Sequence, residues 1–180
     1  GLKTSIFKLY LMTGNPLTMF WTIARFEWRY WFKNPAFYIY AGAVFLLAMG
    51  SMSGSAGALG AGSANLETIA NSPWNIFSFT RFFNKILFFL VPAVVGASIF
   101  REFSSKVNAI LFTYAFTKSD YLCAKFFSSF TIIALIALMV ELGLVAGTLL
   151  PFVNPSQVLN FEFRSYLHTY FLYLLPTLFL

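Results

Sequence analysis

Residues 101–127 read REFSSKVNAILFTYAFTKSDYLCAKFF and carry four of the chain's twelve Lys and Arg residues. On either side lie two long apolar runs, 77–100 (FSFTRFFNKILFFLVPAVVGASIF) and 126–148 (FFSSFTIIALIALMVELGLVAGT). A bilayer core about 30 Å thick needs about 20 mostly apolar residues per spanning helix, and each run meets that length. The polar stretch between them therefore reads as the turn of a membrane hairpin, and the remaining segments can be placed relative to it.

Composition agrees. The 180 residues are 59% hydrophobic and 10% charged, with a mean hydropathy of +0.74, where a soluble domain is about a quarter charged. The expected fold is all-α and polytopic: an N-terminal amphipathic interfacial helix, three full transmembrane helices and a truncated fourth. Twelve basic against six acidic residues make the chain cationic. The basic residues are scattered at predicted helix ends rather than gathered on one soluble face, which argues against nucleic-acid binding. The single cysteine, Cys123, excludes an internal disulfide.

From the N-terminus, residues 1–18 are mildly basic, lack the apolar core and small-residue site of a signal peptide, and stay poorly defined. Over 19–34 (MFWTIARFEWRYWFKN), Phe20, Ile23, Phe26, Tyr30 and Trp31 recur every three or four positions. This is an amphipathic helix with cations beside aromatic rings, suited to the headgroup layer, although it also reads as the first turns of a tilted span. Pro35 favours the first reading, because it disfavours helix at Asn34.

Residues 36–52 (AFYIYAGAVFLLAMGSM) form the first span. Five basic residues precede it and none lies in 36–80, so the positive-inside rule places the N-terminus in the cytoplasm. The outer loop 53–76 starts as a Gly/Ala/Ser linker; alternatively, Gly50 and Gly54, four apart, let another helix approach closely. The second span, 77–100, holds Pro92 as a bend and Gly96 as a contact point.

Arg81, Asn84 and Lys85 share one helical face of that span, either snorkelling to the interface or lining a polar cavity. In the third span, 126–148, the one ionisable residue is Glu141. A carboxylate in hydrocarbon requires a partner. At about 1.5 Å per residue, Glu141 and Lys85 lie at similar depths, roughly 10 Å below the outer ends of their helices. A Glu141 ion pair with Lys85 or Arg81 is expected, either structural or lining a path. An outer loop, 149–165, with a turn at Asn154-Pro155, leads into the partial fourth span, 166–180. His168, the only histidine, has no second His and no Cys pair with which to build a metal site.

No phosphate loop of the G-x-x-x-x-G-K-[ST] type, no H-E-x-x-H and no G-x-S-x-G occurs, so neither ATP hydrolysis nor another catalytic activity is expected of these residues. No catalytic residue, metal ligand or cofactor is assigned to the chain.

In residues 101–127, Arg101-Glu102 closes one span, and Phe116-Thr117-Lys118-Ser119-Asp120-Tyr121-Leu122-Cys123-Ala124-Lys125-Phe126 opens the next. Together with Arg25-Phe26-Glu27-Trp28-Arg29 and Asn34-Pro35, this pattern resembles the membrane subunit of bacterial ABC-2 type transporters. Their re-entry motif is "P-[IL]-S-[RK]-x-[DE]-Y-x-x-G-K-F"; Phe116 and Ala124 stand where it has Pro and Gly.

The resemblance implies a permease in the bacterial inner membrane, multi-pass, forming part of a longer chain. It implies an ATP-driven transporter, an exporter by family habit. The expected partners are a cytosolic ABC ATPase, which would carry the ATP and Mg, a second permease half or a second copy, and membrane lipid. Residues 101–125 would then be a cytoplasmic coupling hinge, with Arg101, Glu102, Phe103 and Lys106 contacting the ATPase, joined by Arg25 and Glu27 of the 19–34 helix. Two other functions fit the same residues: a membrane anchor for a fused aminopeptidase-like enzyme domain, and a non-transporting scaffold of an envelope complex.

Overall fold

The structure, a computed structural model, describes residues 16–58, 69–104 and 118–179. Among the described residues every regular element is helical. Four long helices come first: α1 (Pro16–Lys33), α2 (Pro35–Ser55), α3 (Pro73–Ser104) and α4 (Lys118–Thr148). A 3₁₀ turn (Pro155–Gln157) follows, then α5 (Phe163–Thr169), a π turn (Tyr170–Leu174) and α6 (Leu175–Phe179). Three of these helices are long and apolar enough to cross a membrane, over Pro35–Ser55, Pro73–Ala97 and Tyr121–Thr148.

Proline punctuates the starts. Pro35 and Pro73 each occupy the first helical position of their element, where the missing N–H has no intrahelical partner to lose. Asn34 alone separates α1 from α2, and its N–H closes the last turn of α1 on the Trp31 carbonyl at 3.0 Å. The break expected at Pro35 is therefore one residue wide. Pro92, by contrast, lies inside α3, which continues past it.

The helices outrun the apolar segments that revealed them. α3 begins at Pro73 rather than 77 and is helical through Ser104, past 100; α4 is helical from Lys118, before 126. Hydropathy marks only the part of a helix that suits lipid, whereas the backbone ladder continues into polar turns. Residues 105–117 of the expected hinge, Lys106 among them, lie outside the described residues, as do residues 1–15. The expected fourth span is helical over α5, the π turn and α6.

Two compact units are distinguished. One comprises the described parts of 1–34 and 92–132, the other those of 35–91 and 133–180. In the first, the buried face of α1 is Ala24, Glu27 and Trp31, and that of α4 includes Ala124, Lys125, Ser128 and Ser129. Small residues on both helices permit close backbone approach. Phe127 of α4, itself exposed, sets its ring centroid 5.5 Å from that of Phe20, 6.4 Å from Trp21 and 6.3 Å from Trp28. Phe26 and Tyr30, two members of the expected apolar stripe, lie on the exposed side of α1.

In the second unit α2 buries Phe37, Ala41, Val44, Ala48 and Met52, and α3 buries Ile76, Thr80, Phe83 and Leu87. These spacings of three and four define one face per helix. Opposite them, Ile39, Leu46, Leu47, Phe82, Phe88 and Phe89 are exposed, as apolar side chains facing lipid would be.

The tightest contact is between α2 and α4. A Cβ on Gly143 would lie 2.5 Å from the Phe45 carbonyl oxygen, and one on Gly147 would lie 2.7 Å from that of Met49. Only hydrogen fits at either position. Gly143-x-x-x-Gly147 is thus a small-residue seam between α2 and α4; Gly96, the expected contact of the second span, and Gly50, the alternative offered at the end of the first, have open space where a Cβ would be.

Polar backbone groups outside the helices are joined across loops. The Asn71 side chain donates to the Leu159 carbonyl at 2.8 Å and accepts from the Leu159 N–H at 2.7 Å. The Ala70 N–H donates to the Gln157 carbonyl at 2.8 Å, and that of Asn154 to the Ala56 carbonyl at 3.1 Å. Gly57 adopts φ 81°, the left-handed turn that directs the chain out of α2.

Candidate functional site

Among the described residues two glutamates are buried, one in each unit, and they organise the polar interior. Glu27 sits midway along α1 on the face that also buries Ala24 and Trp31, and it is 1% exposed. Lys125 is the eighth residue of α4, still in its polar first turns. Its Nζ lies 2.7 Å from Glu27 Oε1, with both side chains almost fully enclosed. The Tyr121 ring centroid is 5.8 Å from the same ammonium, close enough for the ring face to attract it. Two charges removed from water together at this distance strongly attract; either one alone would be stranded.

Glu27 was expected on the surface, as a contact for a partner ATPase. Its carboxylate is instead turned inward onto Lys125, which sequence reading left unassigned. Arg25, two residues earlier, is exposed. Arg101, Glu102 and Phe103 fall within α3.

In the second unit Glu141 is 4% exposed and accepts a 2.9 Å hydrogen bond from Thr80 Oγ1, which is fully buried. The expected ion pair with Lys85 or Arg81 is not formed. Both cations are exposed, and helix geometry gives the reason. Residues are about 100° apart around a helix, so Arg81 is turned that far from Thr80 and Lys85 about 140°. Depth differs as well: Lys85 lies five residues, about 7.5 Å, further along α3 than Thr80, whose hydrogen bond sets the level of Glu141. Thr80 faces Glu141 because it continues the Ile76, Thr80, Phe83, Leu87 face; Asn84, one turn on, is half-buried.

The second carboxylate oxygen of Glu141, Oε2, is buried with no hydrogen-bond partner. Two phenols of the α5 and π-turn segment lie within reach of its charge, those of Tyr166 and Tyr170. Tyr170 is engaged elsewhere, donating to the Ala134 carbonyl at 2.9 Å. Tyr166 is 2% exposed; its hydroxyl is near Thr148 but makes no hydrogen bond of good geometry. Buried Tyr166, Tyr170, Leu174 and Leu178 recur every four residues. The π turn suits that spacing, its wider winding seen where the Leu175 N–H reaches the Tyr170 carbonyl five residues back.

Among the described residues no group of three or more His, Cys, Asp and Glu side chains converges on a metal position. His168 is exposed and receives a long 3.5 Å contact from Arg164 Nε. Cys123 is a free, exposed thiol on α4. No family model, no curated protein and no solved structure matches this chain.

Proposed function

We propose that this chain is membrane-spanning sequence of an ATP-driven ABC-2 type transporter, working with a separate cytosolic ATPase as an exporter. The observation that carries the reading is the Glu27–Lys125 ion pair. Glu27 belongs to Arg25-Phe26-Glu27 before the first span, and Lys125 to the re-entry stretch that ends in Lys125-Phe126. These two stretches carry most of the resemblance, are 98 positions apart, and meet through a buried charge pair.

Such a pair makes a mechanical link. A push on α1 from beneath moves Lys125, and with it the start of a helix long enough to cross the bilayer. α1 would lie in the headgroup layer with Arg25, Arg29 and Lys33 toward anionic lipid. The N-terminal side of α2 would be cytoplasmic, as the basic residues before it require, and the membrane would be the bacterial inner membrane. Arg101, Glu102, Phe103 and Lys106 remain the proposed ATPase contacts. Glu27 would act by holding α1 to α4 rather than by touching the partner. ATP and its Mg would bind in the ATPase, and a second permease half or second copy would complete the pathway.

The test is a detergent pull-down of the full-length protein, followed by an assay of nucleotide hydrolysis in the eluate. An associated ATPase that is lost on charge reversal at Glu102 and Lys106 is the expected result. Intact protein recovered without ATPase under every condition would sink the transporter reading in favour of an anchor or scaffold.

A further inference from the structure

We propose that Glu141, Thr80 and Tyr166 form a binding site for one small monovalent cation held by oxygen ligands, either a proton or a sodium ion. The inference does not rest on the transport reading. It follows from the missing charge partner. Glu141 is enclosed, and a carboxylate in an apolar interior is strongly disfavoured unless something positive accompanies it.

Among the described residues, the elements packed around it supply no such group. α3 offers Thr80, a hydroxyl, while Arg81 and Lys85 are exposed. α2 contributes no charged residue anywhere along its length. α5 and the π turn offer the phenols of Tyr166 and Tyr170; Arg164 and His168 of α5 are exposed. The neighbours are therefore oxygens.

Two of those oxygens have no partner: Glu141 Oε2 and the Tyr166 hydroxyl. A cation at Oε2 satisfies the first and neutralises the carboxylate. It also gives the second an attachment, either as a ligand to sodium or as the acceptor for a protonated Glu141. Thr80, donating to Oε1, fixes the carboxyl plane and keeps lone pairs for a hard cation.

The experiment uses the full-length protein in lipid nanodiscs and dicyclohexylcarbodiimide, which reacts with protonated carboxyl groups in apolar surroundings. Modification of Glu141 is read by peptide mass spectrometry across a pH series, in sodium and in choline buffers. Infrared difference spectra of wild type against Glu141→Gln report the carboxyl group in parallel.

Modification that is independent of sodium, and that falls about tenfold per pH unit once the group ionises, identifies a proton as the ligand. Modification in choline that sodium suppresses identifies sodium. Thr80→Val and Tyr166→Phe are each expected to shift the pH midpoint or the sodium concentration by about tenfold. A Glu141 that stays unmodified in both buffers, with an infrared carboxylate band unmoved by pH or sodium, overturns the proposal. The wild-type measurement decides between these outcomes even if a variant fails to fold.

Discussion

Glu27 and Glu141 are both almost fully buried, yet their environments are opposites. Glu27 meets a lysine at 2.7 Å; Glu141 meets a threonine at 2.9 Å and leaves one oxygen unsatisfied. The first is a closed pair that needs nothing further and ties two helices. The second is open, with oxygen neighbours and no cation beside it among the described residues. Burial alone does not tell a structural carboxylate from a binding one; what faces it does.

The sharpest way to break this contrast is to remove Lys125. Lys125→Met strands the Glu27 charge and should cost about 3–5 kcal/mol, seen as a lower thermal midpoint in detergent. Adding Glu27→Leu should recover most of that loss. If the double variant is no more stable than the single, Glu27 and Lys125 do not act as a pair. Thr80→Val comes next. Removing the donor to Glu141 should cost about 1.5–3 kcal/mol by the same measurement.

Glu141→Gln tests the other half of the comparison. The amide oxygen still accepts from Thr80 and the charge is gone, so stability should change by less than about 1 kcal/mol or rise. A loss as large as that at Lys125 would make Glu141 structural. Smallest of all, Arg81→Ala and Lys85→Ala should each fall within about 0.5 kcal/mol of wild type. A larger effect would restore the ion pair expected from depth alone.

What sequence revealed and what it hid have physical causes. The three apolar helices were legible because span length and hydropathy are properties of contiguous residues, and Pro35 was legible because proline acts locally. Helix ends were not, since α3 and α4 extend through polar turns that hydropathy assigns to loops. The Gly143-x-x-x-Gly147 seam had a readable signal, the same small-residue spacing noticed at Gly50 and Gly54. Glu141 meets Thr80 rather than Lys85 for two reasons: α3 begins four residues before its apolar run, which shifts depths along it by about 6 Å, and Thr80, not Lys85, lies on its core face. Lys125 as the partner of Glu27 had no local signal, because nothing in either stretch encodes a meeting 98 positions apart.

Asn71 reads both main-chain groups of Leu159 with a single amide, as a neighbouring strand would. A grip of that kind is indifferent to the side chain it holds, and Leu159 is exposed. In a saturation library, position 159 should therefore accept nearly every residue except proline, which has no N–H to give. Position 71 should accept almost none, because aspartate lacks the donor and a serine hydroxyl, though it both donates and accepts, is a single atom on a shorter arm. Tolerance to mutation in this loop would thus be dictated from the other side of the contact.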